Sequence, residues 1–147
     1  MRKPVLQVED SSDDAKLLEL AFRNAGVTNE IITVESGEEA LNYLKGIGPY
    51  WDRDAFPLPG VVMVDLKLPG ASGFEVMEWI KARQEPADIL VVAITGHNDL
   101  ENIKRAYTAG AGSFLAKPIN QEDVLNLARG FRKYWSIDRL NLRMMAK

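Results

Sequence analysis

The chain has 147 residues, of which 46% are hydrophobic and 27% are charged, with no cysteine and a single histidine, His97. This length suits one domain with a substantial core. The lack of cysteine excludes disulfides and thiolate metal sites, and one histidine makes a zinc centre improbable. No apolar signal segment precedes the first strand-like run, and no run approaches the ~18 apolar residues of a membrane helix. A cytoplasmic protein without membrane contact is therefore expected.

The net charge of −3 is unevenly distributed along the chain. Residues 1–128 carry 12 basic and 20 acidic side chains, whereas residues 129–147 carry six basic side chains and one acidic side chain. An acidic body with a basic tail is compatible with a partner surface at the C-terminus, and equally with a solvated helical face.

Strand and helix patterns alternate five times. Short apolar runs predict strands at Val5–Val8, Ile31–Val34, Val61–Val64, Ile89–Ile94 and Ser113–Ala116. Amphipathic segments follow each strand, with predicted starts in Ser11-Ser12-Asp13, at Ser36, after Gly73, at Asn98 and at Asn120. The first helix is predicted to place Leu17, Leu18, Ala21, Phe22 and Ala25 on its apolar face and to stop at Gly26; the third ends before Pro86. The fifth repeats Val124, Leu127, Ala128, Phe131 and Trp135 on one face.

Five β-α units with short connections predict an α/β fold of the doubly wound type. The expected architecture is a three-layer sandwich with a five-stranded parallel sheet of order 2-1-3-4-5 and helices on both faces. One connection, residues 46–60, is long and contains three aromatic residues. These aromatics either pack back on the body or form a docking surface.

Polar residues stand where four of the predicted strands end. They are Glu9-Asp10, Asp65, Thr95-Gly96 and Lys117-Pro118. Because the carboxyl ends of parallel strands meet at one edge of a sheet, three carboxylates converge near the predicted switch point. Such a cluster needs a cation, and a hard divalent ion with oxygen ligands fits. Glu9, Asp10, Asp65 and the main-chain carbonyl of Lys67 are the predicted Mg²⁺ ligands.

Asp65 is the candidate nucleophile for covalent phosphoryl capture. Its carboxylate would attack a phosphoryl group and form an acyl phosphate. The metal, the Lys117 ammonium and the Thr95 hydroxyl with nearby N–H groups would each meet one phosphoryl oxygen, and Gly96 would leave room for the group to enter. Taken singly, Asp10 could be only a helix N-cap, Asp65 a turn residue and Lys117-Pro118 a plain turn. The four strand ends together favour the functional interpretation.

At these positions the chain resembles the receiver domain of two-component response regulators. The matching residues, in the order and spacing of that family, are Glu9-Asp10, Asp65 with Pro69, Gly73, Thr95, Phe114 and Lys117-Pro118. The resemblance covers about residues 3–135 and implies a flavodoxin-like receiver fold in residues 1–135. It implies Asp65 as the phosphoacceptor, Glu9 and Asp10 as Mg²⁺ ligands, and a phosphohistidine on a sensor histidine kinase as donor.

The resemblance also implies a switch and a backbone feature. Thr95 would shift toward the phosphate, Phe114 would turn inward, and the Lys117–Pro118 bond would be cis. Two departures concern the rim of the site. Gly96 stands where the family more often has alanine, and the rim positions that tune acyl-phosphate lifetime are both basic, Lys67 and His97.

Because the chain ends soon after the fifth helix, its output is expected to be protein contact. The aromatic loop and the tail resemble stand-alone regulators that are paired with bacterial phytochrome kinases. Residues 136–147 are expected to continue helix 5 or to contribute to a dimer interface. A homodimer is predicted through the helix 4–strand 5–helix 5 face and the apolar residues of the tail, which are Trp135, Ile137, Leu140, Leu142, Met144 and Met145.

The sequence bears on four alternative functions. A Mg²⁺-dependent phosphatase of the haloacid-dehalogenase type needs an acid two positions after the nucleophile, where this chain has Lys67. A flavin-phosphate binder needs a Ser/Thr-rich loop where Glu9-Asp10 stands. Nucleic-acid binding through the basic tail is opposed by the acidic body. A phosphorelay intermediate that passes phosphate to a histidine phosphotransfer protein remains open. Beyond transfer to, and hydrolysis from, its own aspartate, no enzymatic activity is expected.

Overall fold

The computed structural model describes residues 2–68, 73–83, 88–96 and 100–138. Within these ranges, strands and helices alternate as the sequence predicts. The elements are β1 (Val5–Val8), α1 (Ser12–Asn24), β2 (Ile31–Val34), α2 (Gly37–Lys45), β3 (Val61–Asp65), α3 (Gly73–Ala82), β4 (Leu90–Thr95), α4 (Leu100–Thr108), β5 (Ser113–Ala116) and α5 (Gln121–Gly130). Single 3₁₀ turns lie at Gly48–Tyr50 and Arg132–Tyr134.

The five strands form one parallel sheet in the order β2-β1-β3-β4-β5, which confirms the predicted fold class. β1, β3 and β4 are buried along their whole length, as expected for strands covered by helices on both faces. The helices α1 and α5 pack on one face, and α2, α3 and α4 pack on the other. No helix in the described part of the chain is long and apolar enough to span a bilayer.

Ser11, not Asp10, caps the N-terminus of α1. The Ser11 hydroxyl accepts a hydrogen bond from the backbone N–H of Asp14 at 3.3 Å. The Asp10 side chain is therefore not used as the helix cap. Ser36 and Asn120 cap α2 and α5 in the same way, and α1 ends before Gly26 (φ 86°), as predicted. The predicted helix signals at Pro86 and Asn98 lie outside the described residues.

One residue assigned to the apolar face of α1 is exposed. Leu17 is 53% exposed, and Leu20, on the same side of the helix, is 56% exposed. The buried stripe is formed by Leu18, Ala21 and Phe22. Since successive residues differ by about 100° around a helix, Leu17 falls on the flank of this stripe and not within it. Leu17 therefore does not share the buried face of α1 with Leu18, Ala21 and Phe22.

The long connection after α2 packs back on the body through two of its aromatics. Tyr50 and Phe56 surround the fully buried Tyr43, with ring centroids 5.0 and 6.1 Å from it. The Arg53 guanidinium donates to the carbonyls of Tyr43 and Leu44 at 2.9 and 2.7 Å, and so satisfies the C-terminal end of α2. Trp51 is the exception, because it remains 74% exposed.

The segment after α5 belongs to the domain core. Helix α5 ends at Gly130, and Trp135 is 4% exposed, with its ring 5.6 Å from that of Phe22. Ile137 forms an antiparallel bridge with Val27. Residues 136–138 therefore do not continue helix 5. Trp135 is buried in the core next to α1, and Ile137 is partly buried against the same core.

Buried Asn29 fixes this segment to the body. Its amide donates to the carbonyls of Lys3 and Tyr134, both at 3.0 Å, and its carbonyl accepts from the Ser136 N–H at 2.7 Å. The remaining tail residues predicted to support dimerisation, Leu140, Leu142, Met144 and Met145, lie outside the described residues.

Candidate functional site

The predicted site residues meet at the carboxyl edge of the sheet. Val8 pairs with Val64, Asp65 with Ile94, and Thr95 with Ala116, so the residues that end β1, β3, β4 and β5 are direct neighbours. This register brings together Glu9, Asp65, Thr95 and Lys117, which are separated by up to 108 positions in the chain. The convergence that the parallel topology predicts is confirmed.

Three carboxylates form a cluster able to hold a metal ion. Glu9, Asp10 and Asp65 each offer one oxygen, and these atoms all lie within 4.8 Å of one another. Glu9 and Asp65 are buried, whereas Asp10 is exposed at the mouth of the cluster. Hard oxygen donors at this spacing match the coordination preferences of a divalent cation. The Lys67 carbonyl stays a prediction as a fourth ligand. The Lys67 N–H donates to Asp65 Oδ1 at 2.8 Å.

Lys117 forms ion pairs with three carboxylates at the site. Its ammonium lies 2.6 Å from Glu9 Oε1, 2.8 Å from Asp65 Oδ2 and 2.8 Å from Asp14 Oδ2. The contact with Asp14 was missed at the sequence level. Asp14 is not among the predicted site residues, because a pairing across 103 positions has no local pattern. The one sequence feature that could have indicated this contact is the position of Asp14 in the first helical turn after Glu9-Asp10.

The two buried carboxyls are shifted in opposite directions. Burial raises the pKa of Glu9 to about 7; the neighbouring Asp65 adds to this rise, and the hydrogen bond from Lys117 opposes it. Burial also acts to raise the pKa of Asp65, but hydrogen bonds from Lys117 and from the Lys67 N–H outweigh it, so that pKa is lowered. The Lys117 pKa is raised by its carboxylate partners despite burial. Asp65 is therefore ionised at neutral pH, as a nucleophile must be.

The two predicted switch residues, Thr95 on β4 and Phe114 on β5, differ in how exposed their side chains are. Thr95 is buried, and its hydroxyl donates to the Gly96 carbonyl at 3.3 Å rather than to a site carboxylate. Phe114 is 38% exposed and meets Tyr107 edge-on, with centroids 6.4 Å apart. The aromatic ring thus points outward in this structure.

The glycines around Asp65 differ in how much space they leave. A Cβ at Gly73 would lie 2.7 Å from the Asp65 carbonyl oxygen, so only glycine lets α3 pass this close to the end of β3. Among the described residues, a Cβ at Gly96 would meet Lys67 Nζ alone, at 3.9 Å, so the Lys67 ammonium reaches over this residue. The Lys117–Pro118 peptide bond is cis, as the resemblance implied. Pro69 and the rim residue His97 lie outside the described residues.

A parallel 2-1-3-4-5 sheet with this acidic cluster and lysine defines the receiver class of signalling domains. The chain belongs to the response regulator receiver domain family, whose model matches residues 5–129. The predicted resemblance is confirmed.

Several of the solved structures similar to the chain are phytochrome response regulators. The bacteriophytochrome response regulator RtBRR is 27% identical, with a TM-score of 0.82 over 99% of this chain and 90% of that one. The phosphorylated cyanobacterial phytochrome response regulator RcpA is 28% identical, with a TM-score of 0.74 over 92% and 94% of the two chains.

A third similar protein has been solved with a metal ion. Response regulator Rcp1 of Synechocystis sp. is 28% identical over 133 residues, which make up 90% of this chain and 88% of that protein. The Mn²⁺-bound form of response regulator Rcp1 has a TM-score of 0.71 at 27% identity, over 90% and 93% of the two chains.

Proposed function

We propose that Asp65 accepts a phosphoryl group from the phosphohistidine of a sensor histidine kinase, in a reaction that depends on Mg²⁺. The observation that carries this proposal is the environment of Asp65. Its buried, ionised carboxylate lies 2.8 Å from the Lys117 ammonium and within one cluster with Glu9 and Asp10. Because such a kinase phosphorylates its histidine with ATP, the cytoplasm is the proposed compartment.

The transfer forms one bond and breaks another. An Asp65 carboxylate oxygen attacks phosphorus while the phosphorus–nitrogen bond of the donor breaks, and the imidazole keeps the bonding electron pair. The Lys117 ammonium then donates to a phosphoryl oxygen in place of the Asp65 oxygen. We propose that the Thr95 hydroxyl and the N–H groups beside Gly96 donate to another oxygen. Slow hydrolysis of the acyl phosphate, at a rate set by the rim residues Lys67 and His97, returns the carboxylate.

Glu9, Asp10 and Asp65 fit a resident Mg²⁺ ion, with the Lys67 carbonyl as a further ligand. The Mn²⁺-bound form of Rcp1 supports a divalent ion in this family. Mg²⁺ would supply positive charge that offsets the carboxylates and the incoming phosphoryl oxygens. Glu9 must be ionised to act as a ligand, yet its pKa is raised to about 7.

The affinity for Mg²⁺ is therefore expected to rise with pH. With a Glu9 pKa of about 7, the affinity should increase roughly tenfold between about pH 6 and pH 8, because binding must displace the Glu9 proton below its pKa. Calorimetric titration in buffers of different ionisation enthalpy should detect the released proton. Glu9→Gln should bind more weakly and lose this pH dependence. A pH-independent affinity in the unsubstituted protein would count against Glu9 as a ligand.

The surface beside Lys117 suits the donor kinase. A cavity of about 230 Å³ opens next to the ammonium, with an apolar wall that includes Leu17, Pro118 and Ile119. Leu20 is exposed on the same side of α1. An apolar rim around a polar reaction centre matches a partner helix whose histidine must approach Asp65. The similarity to RtBRR and RcpA supports a phytochrome kinase as that partner.

Leu17→Glu combined with Leu20→Glu is expected to slow transfer from a phosphorylated kinase at least tenfold, because two exposed apolar contacts are lost and charge is introduced. The same variant should react normally with acetyl phosphate, which needs no protein contact. Ile47→Glu, at an isoleucine that is 48% exposed in the connection after α2, is the control. Equal rates of kinase transfer in the control and the double variant would exclude this surface.

Signalling after phosphorylation is proposed to operate through the α4–β5–α5 face. Phe114, Tyr107 and Leu100 are exposed there, and a shift of Thr95 toward the phosphoryl group would open space for Phe114 to turn inward. We propose that this change alters a homodimer contact or the binding of a partner protein. Onward transfer to a histidine phosphotransfer protein would use the same Asp65 chemistry.

Incubation with acetyl phosphate tests the central reaction. The protein should gain one phosphoryl group in the presence of Mg²⁺ and none when a chelator is present, as read by intact mass. Light scattering on the same samples reports any change in assembly. The proposed function would be overturned if, in the presence of Mg²⁺, the protein gained no mass with either acetyl phosphate or a phosphorylated kinase.

A further inference from the structure

Asp14 stands outside the groups that the proposed phosphotransfer uses, yet it contacts the reactive lysine. Its Oδ2 atom accepts from Lys117 Nζ at 2.8 Å. The residue lies in the first turn of α1, and its backbone N–H is held by the Ser11 hydroxyl at 3.3 Å. Its side chain is 40% exposed, so the contact with Lys117 does not require the carboxylate to be fully removed from solvent. The N-terminus of a helix further favours an anion at this position.

An ammonium group has three N–H bonds, and three carboxylates accept from Lys117. Two of these acceptors are committed elsewhere during the proposed reaction. Glu9 is a candidate metal ligand, and Asp65 becomes bonded to phosphorus. Asp14 is the one member of the three that remains a free carboxylate throughout.

We infer that Asp14 is the positioning residue of Lys117. It holds the ammonium at the Asp65 oxygen when Glu9 turns to the metal, and it keeps the ammonium directed at the phosphoryl group once Asp65 is phosphorylated. The other end of the lysine is fixed as well, since the Lys117 backbone N–H donates to the Thr95 carbonyl at 2.9 Å. This role rests on the proposed function, because it concerns the lysine of that reaction.

The kinetic test compares Asp14→Ala with Asp13→Ala. Asp13 precedes it in the same turn, is exposed and is not one of the three carboxylates at Lys117, so the control removes the same charge without the contact. At saturating Mg²⁺ and acetyl phosphate, Asp14→Ala should lower the maximal phosphorylation rate about tenfold, the scale of one charge-assisted hydrogen bond. The half-saturating donor concentration should change less than twofold. Asp14→Asn, which keeps an acceptor oxygen, should lie in between.

A second readout needs no turnover. In the Mg²⁺-loaded protein, NMR should detect the Lys117 ammonium protons in the unsubstituted chain and in Asp13→Ala, and should lose them to solvent exchange in Asp14→Ala. The inference is overturned if the rates and ammonium signals of the Asp13→Ala and Asp14→Ala variants are equal. Failure of the unsubstituted protein to accept phosphate would instead overturn the proposed function. The NMR comparison would still test whether Asp14 positions the Lys117 ammonium.

Discussion

Replacing Asp65 by asparagine is expected to abolish phosphorylation by both acetyl phosphate and a phosphorylated kinase. The amide has nearly the same shape as the carboxylate but lacks the anionic oxygen that attacks phosphorus. Glu9 and Asp10 remain in the variant as candidate metal ligands, and neither is expected to take over as the acceptor. Intact mass spectrometry should show no phosphoryl gain in the variant.

Asp88→Asn is the matched control for this substitution. Asp88 is an exposed aspartate that precedes β4, at the opposite edge of the sheet, where it pairs with Lys133 at 3.0 Å. The Asp88→Asn variant should gain a phosphoryl group to the same extent as the unsubstituted protein. A phosphoryl gain on the Asp65→Asn variant would show that another side chain accepts the group.

Replacing Lys117 by methionine is expected to slow phosphorylation by acetyl phosphate about 10²–10³-fold, because the transferring group loses a preorganised positive donor. The substitution also leaves Glu9 and Asp65 buried beside each other without their shared cation. Removing one partner of a buried ion pair commonly costs about 3–5 kcal/mol. Thermal unfolding of the metal-free variant should therefore begin at a clearly lower temperature.

The stabilisation that Mg²⁺ provides should differ between the Lys117→Met variant and the unsubstituted protein. Because the ion offsets the same carboxylates, it should stabilise this variant more than it stabilises the unsubstituted protein. Lys133→Met removes a lysine from an exposed ion pair and should alter neither the rate nor the response to Mg²⁺. A Lys117→Met rate within threefold of the unsubstituted protein would remove Lys117 from the proposed chemistry.

The fold and the principal site residues could be predicted from sequence because they follow from local patterns and one topological rule. Valine-rich runs identify β3 and β4 as buried strands, and parallel strands place all their carboxyl ends at one edge. Once that order is assumed, Glu9, Asp65, Thr95 and Lys117 must lie together. The register of the sheet confirms this.

The failures involve contacts with no local signature. Trp135 continues the periodicity of α5, yet the helix ends at Gly130 and the indole packs against Phe22 at the far end of the chain. Leu17 fits an apolar pattern but lies one helical step away from the buried stripe. Asp14 meets Lys117 because the Lys117 side chain also contacts Glu9 and Asp65, at strand ends separated from β5 by β4, and sequence spacing does not reveal this reach.

The most direct test of the account locates the phosphoryl group itself. The protein is phosphorylated with acetyl phosphate and Mg²⁺, reduced with borohydride to convert an aspartyl phosphate into homoserine, digested and sequenced by mass spectrometry. The account predicts homoserine at position 65 and at no other aspartate. Conversion at another residue, or no conversion in a sample that has gained a phosphoryl group, would contradict the assignment of Asp65 as the acceptor.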